Sequence, residues 1–109
     1  MTEKEIERIL VTGVRDLGGR AYKWVSPGNA GVPDRIVIFP GQAPIFVELK
    51  PESGKLTRLQ EVQIRRLQDL QQRVQVLRGE KEVRMFLWRA SGRVCETIRG
   101  DKDEGGTGV

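Results

Sequence analysis

The sequence has no histidine and a single cysteine, Cys95, among 109 residues. Zinc fingers, Ser–His–Asp triads and Cys–His dyads are therefore excluded. An internal disulfide framework is excluded too, and a lone cysteine fits a reducing compartment. No apolar run approaches the ~20 residues of a membrane helix. The N-terminus, MTEKEIERIL, lacks the apolar stretch of a signal peptide. The expectation is a soluble, cytoplasmic protein with no membrane partner. Any hydrolytic chemistry must run on carboxylates, lysines and an oxygen-bound metal.

What is present is enough for one domain. Hydrophobic residues make up 38% and charged residues 31%, as in soluble globular chains. Two domains of this combined length would each struggle to stabilise a core. The net charge is +4. Residues 55–89 hold nine basic and four acidic side chains. Such a surplus suits a polyanion such as DNA, because each neutralised phosphate releases a counterion. A solvated basic surface would have the same composition.

Thr2 and Glu5 form a capping-box pattern. Ile6, Ile9, Leu10, Gly13, Val14 and Leu17 then recur at helical spacing, and Gly18-Gly19 ends the helix. AYKWV (21–25) reads as a strand, SPGNAGVP (26–33) as a loop, and DRIVIF (34–39) and PIFVELK (44–50) as a hairpin. Thr57 caps a second helix ending near Gln72, with a stripe of Leu59, Val62, Leu67, Leu70 and Val74. VQVL (74–77) is a short strand. Residues 79–90 form a third helix. The expected organisation is a domain over residues 1–90 and an extension over 91–109 whose last ten, Gly-rich residues are flexible. The order describes a single α/β domain with a mixed sheet and helices on its faces.

Asp34 opens one strand of the hairpin, and Glu48 and Lys50 close the other. Residues i and i+2 on a strand share a face, so Glu48 and Lys50 point together. The hairpin brings Asp34 beside Glu48. Two adjacent carboxylates repel unless a proton or cation intervenes. A hard divalent ion, Mg²⁺ or Mn²⁺, takes such oxygen ligands and stabilises charge on a phosphoryl group. Singly, each residue has a simpler reading: Asp34 as a turn residue, Glu48 and Lys50 as a solvent-facing pair. Their combination favours a site.

PDRIVIF followed by FVELK resembles the PD-(D/E)xK nuclease motif. SPGNAGVPDRIVIFPG through IFVELKPESGKLTRLQ resembles its VRR-NUC branch, the virus-type replication-repair nucleases. The resemblance runs from about residue 3 to 89. It implies a restriction-endonuclease-like αβββαβ core and a metal-dependent DNA endonuclease of replication, repair or recombination. It also implies a bacterial or phage-infected cell. Asp34 and Glu48 would hold Mg²⁺ or Mn²⁺, with the backbone carbonyl of Leu49. Lys50 would act on the water or the transition state. The family glutamine falls on Gln60, and the helix glutamate on Glu7, with Glu3 one turn away as the alternative. Ser26 and Gly28 of the glycine loop, with Lys23, Lys55 and Arg58, are expected to meet the substrate. Arg35, alternating with Asp34, should point away from it. Junction-cutting relatives pair as twofold dimers, so a homodimer is expected, with Met85–Trp88 and VQVL as interface candidates. The competing readings are a nuclease-fold module that binds DNA without cutting and a basic α/β interaction protein.

Overall fold

The structure is a computed structural model. It describes the backbone of residues 1–108 and the side chains of residues 1–95. Helix α1 spans Glu3–Asp16, followed by strands β1 (Arg20–Lys23), β2 (Arg35–Ile38) and β3 (Ile45–Lys50). Helix α2 (Arg58–Asp69), strand β4 (Arg73–Arg78) and helix α3 (Gly79–Gly108) complete the fold. The order α-β-β-β-α-β-α is the one expected. The sheet runs β1-β2-β3-β4, antiparallel through β3 and parallel between β3 and β4. The parallel step follows from the α2 crossover, which returns the chain in the direction of β3.

Local chemistry explains where the helices begin. Thr2 and Glu5 bond each other's backbone amides at the start of α1, and Thr57 and Gln60 do the same at α2. Each cap contributes about 1 kcal/mol by satisfying amides that the helix leaves open.

One face of the sheet carries the core. Ile6, Leu10 and Val14 of α1 meet Val37, Ile45, Val47, Leu49 and Leu77 of the sheet and Val83, Ala90 and Val94 of α3. Alternate residues of β3, Ile45, Val47 and Leu49, face this core, and each large apolar side chain buried there contributes roughly 1.5–3 kcal/mol. Gly13 lies where a Cβ would stand 2.4 Å from Leu87 Cδ1, so α1 and α3 approach closely there.

Two features differ from expectation. Helix α3 continues past residue 90, because Val94 extends the buried spacing of Val83 and Ala90 by one turn. The expected flexibility of the last ten residues lies outside the residues whose side chains are described. The stripe expected on α2 is also misplaced. Leu59, Val62 and Leu70 are exposed, and Ile64 is the buried residue. The inward side of α2 runs through Gln60, Gln63, Ile64 and Leu67. On this inward side Ile64 is buried and Gln63 donates to Ala30 O of the preceding loop.

Candidate functional site

The register between β2 and β3 pairs Arg35 with Val47 and Ile36 with Phe46. One step further, Asp34 falls opposite Glu48. Both lie on the face that carries Ile36 and Phe46, away from the α1–α3 core. Asp34 is clamped between its neighbours. Its carbonyl accepts from Trp24 N at 3.0 Å, and its Oδ2 accepts from Leu49 N at 2.9 Å. Trp24 packs on Phe46 with ring centroids 5.2 Å apart, walling this face.

Glu48 is 1% exposed, although it sits in a strand whose other buried residues are apolar. Its Oε1 has no hydrogen-bond partner among the described residues. Burial, then the neighbouring Asp34, push its carboxyl up to about 8, against the opposing pull of Lys50. Asp34 itself is exposed, so one carboxylate of the pair is sunk and the other open to solvent. Lys50 follows Glu48 by two residues on the same face, half-buried and in register with Arg78 of β4. Arg78 braces the following loop by donating from Nε to Gly54 O at 3.0 Å. Helix α2 packs over β4. Over β1 and β2 the same face is open, with Tyr22 and Ile38 exposed.

The structure brings Asp34, Glu48, Leu49 and Lys50 together. Other expected residues have different surroundings. Glu7 is paired with Arg35, whose Nη1 also donates to Ala21 O at 3.0 Å. Arg35 alternates with Asp34 and points to the α1 side, as expected. Glu3 is exposed in the first turn of α1. No group of three or more Asp, Glu, His or Cys that could hold a metal occurs among the described residues. The carboxylate set is thus the pair Asp34–Glu48. Gln60 uses its Oε1 to accept from Thr57 N at 2.9 Å, so its carbonyl serves as a helix cap.

Lys23 pairs with Arg35 in register, which places it on the face opposite Asp34. Lys55 and Arg58 are exposed, on the loop after β3 and at the first position of α2. Ser26 Oγ accepts from Asn29 Nδ2 at 2.9 Å, closing the loop upon itself. Gly28 has φ +81° and open space around it.

Sequence reasoning missed how this loop is held. Gly31 has φ +92°, and a Cβ there would stand 2.6 Å from the Leu59 carbonyl. Gln63 Nε2 donates to Ala30 O at 3.3 Å. The loop entering Asp34 is therefore docked on the first turns of α2. The T-x-x-Q spacing of Thr57 and Gln60 was a visible signal for the cap. Nothing local in sequence announces the Gly31 contact.

A VRR-NUC domain of known structure superposes with a TM-score of 0.74 at 28% sequence identity, covering 78% of this chain and 92% of that one. The protein named "Putative nuclease p44", from Acyrthosiphon pisum secondary endosymbiont phage 1, is 53% identical over 58 residues. That match takes in 53% of this chain and spans 62% of the relative's length. No family model matches the chain. The chain has the fold of that VRR-NUC domain, the family its motifs resemble. No helix among the described residues is long and apolar enough to cross a membrane.

Proposed function

We propose that the protein is a divalent-metal-dependent DNA endonuclease that hydrolyses phosphodiester bonds, with branched or junction DNA as substrate. The observation that carries this reading is Glu48: a buried carboxyl beside Asp34, with an unpartnered Oε1 and an affinity for protons raised to about 8. Such a pair requires a proton or a cation. A hard ion such as Mg²⁺ or Mn²⁺ fits it, since these ions bind through one or two carboxylates and leave their other positions to water and substrate phosphate. Asp34, Glu48 and the carbonyl of Leu49 would hold the ion. When bound, it supplies charge stabilisation to a phosphoryl oxygen and makes water more acidic.

The chain's own residues do the rest. The Leu49 amide fixes Asp34 Oδ2, so the exposed carboxylate needs no reorganisation to bind. Lys50 presents an ammonium to the same face, where it stabilises negative charge developing on the phosphate. The open sheet face over β1 and β2 leaves room for a duplex, and Lys55 and Arg58 lie in the segment that follows Lys50 to contact its backbone. The similarity to a phage protein named as a nuclease supports the same reading. A homodimer belongs to the proposal, since a twofold pair matches two scissile strands. Met85 and Trp88, exposed on α3 at 46% and 71%, would contribute to its interface.

Incubation with supercoiled, forked and four-way DNA, with Mg²⁺ or Mn²⁺ and with chelator, tests this. Cleavage that needs the ion and prefers a branched substrate is expected. Tight DNA binding with no cleavage under any ion would replace the reading with a binding module.

A further inference from the structure

The sheet face opposite Asp34 and Glu48 holds a crevice of about 500 Å³ between α3 and the starts of β3 and β4. That volume lies in the range of small-molecule sites, about 300–1,000 Å³. Along the β3 strand, Ile45 of the crevice is roughly 16 Å from Lys50 at the other end. The floor is apolar and partly aromatic, with Phe39 and Phe86 tilted against each other at 6.1 Å. Four cations line it: Arg73 at the start of β4, and Lys81, Arg89 and Arg93 along one side of α3, eight and then four residues apart. The one acid in the lining, Glu82, already accepts from Arg78 N through Oε1.

Two polar groups of the lining are left without partners. Gln42 Nε2 and Arg73 Nε are buried with no acceptor among the described residues. Arg73 anchors itself to Ala43 O through Nη2. Burial, and then the charge of Arg93, hold its guanidinium below the usual arginine value. Half-buried Arg73 and exposed Arg93 thus repel along one wall of the crevice, a positive counterpart of the Asp34–Glu48 pair. An anion relieves them as a cation relieves the carboxylates. Arginine forks match phosphate oxygens in pairs of parallel hydrogen bonds. An aromatic and aliphatic floor accepts the flat face of a base.

We propose that this crevice is a nucleotide-phosphate site, taking a nucleoside monophosphate or the phosphorylated end of a DNA strand. Phosphate seats among Arg73, Arg89 and Arg93, and the base lies over Phe86. The site is independent of the carboxylate pair and needs no divalent ion.

Calorimetric titration of the whole chain in chelator tests it, with thymidine 5′-monophosphate, thymidine, inorganic phosphate, and trithymidylate with and without a 5′-phosphate. The monophosphate should bind at least tenfold more tightly than thymidine or inorganic phosphate. The double variant Arg89→Gln/Arg93→Gln, both exposed positions and checked for folding by circular dichroism, should lose tenfold or more. Arg84→Gln, which removes only a surface pair with Glu80, should bind as the parent does. Binding of the phosphorylated trinucleotide equal to that of the monophosphate assigns the site to strand ends. Binding of the monophosphate alone assigns it to free nucleotide. No binding of either, binding unaltered in the double variant, or inorganic phosphate as tight as the nucleotide overturns the proposal. Because no metal or cleavage is involved, its failure is distinct from failure of the endonuclease reading.

Discussion

Glu7 on α1 is paired with Arg35 on β2, the residue next to Asp34. Arg35 also holds the β1 carbonyl of Ala21, so one guanidinium joins a helix and two strands beside the carboxylate pair. Its side chain is 15% exposed, and its Nε is buried without a partner among the described residues. Removing Glu7 would leave a largely buried cation short of a second acceptor, at a cost of about 1–3 kcal/mol. Glu7→Ala should therefore lower the melting temperature by at least ~5 °C. Affinity for Mn²⁺, measured by calorimetry, should stay within about twofold. A tenfold loss of Mn²⁺ affinity at unchanged stability would instead return Glu7 to the metal, the place its resemblance to the family implies.

Glu48 makes stability depend on pH in an unusual direction. Its carboxyl titrates near 8 in the fold, against an ordinary value of 4.5. Between those values the folded state binds the extra proton, so rising pH favours unfolding. Metal-free protein should be most stable near or below pH 5 as far as this group is concerned, and lose that contribution as pH rises through about 8. Thermal melts in chelator across pH 5–9 should show the decline. Glu48→Gln should flatten it, and Mn²⁺ should oppose it at the alkaline end. A decline of the same size in Glu48→Gln would show that another group is responsible.

Much of this arrangement was readable from residues alone, and the reason is local. Alternating β-branched residues around Pro40-Gly41 specify the hairpin, and the hairpin by itself sets Asp34 opposite Glu48. Thr2–Glu5 and Thr57–Gln60 specify helix starts within four residues. What escaped are contacts between segments distant in sequence. Arg35 with Glu7 spans 28 residues, and Gln63 with Ala30 spans 33. The face of α2 that turns inward, with Ile64 buried and Leu59 and Val62 exposed, depends on such distant contacts and not on the local spacing of its leucines. Lys23 was expected at the substrate, but strand alternation puts it on the far face. The resemblance to VRR-NUC domains named the motif residues; it could not show that Gln60's carbonyl is occupied by the cap.

Gly31 is a direct test of how the loop is held. Any side chain there meets the Leu59 backbone while the residue keeps φ +92°. Gly31→Ala should cost about 1–3 kcal/mol in strain and displacement. Because the loop leads into Asp34 through Pro33, cleavage should fall more than stability alone explains. Gln63→Ala, which removes only the bond to Ala30, should produce a smaller loss of both. Denaturant melts paired with cleavage rates at saturating Mn²⁺ would measure this. Parental rates in folded Gly31→Ala would show that loop docking does not position Asp34.

The carboxylate pair itself separates chemistry from binding. Asp34→Ala or Glu48→Ala should abolish metal-dependent cleavage while leaving DNA affinity nearly unchanged. Affinity comes mainly from lysine and arginine contacts to phosphate, which these changes leave in place. Without metal, at neutral pH where Glu48 holds its proton, Asp34→Ala removes the acceptor of the Leu49 amide and should lower the melting temperature. Lys50→Ala should keep Mn²⁺ binding and lose on the order of 10²-fold in rate, as expected for a charge that acts on the transition state. Gel-shift affinity, Mn²⁺ calorimetry and single-turnover cleavage on the three folded variants read these effects separately. Parental cleavage by folded Asp34→Ala or Glu48→Ala would remove both residues from the metal site. Loss of DNA binding in step with loss of cleavage would mean that the pair shapes the DNA surface rather than holding an ion.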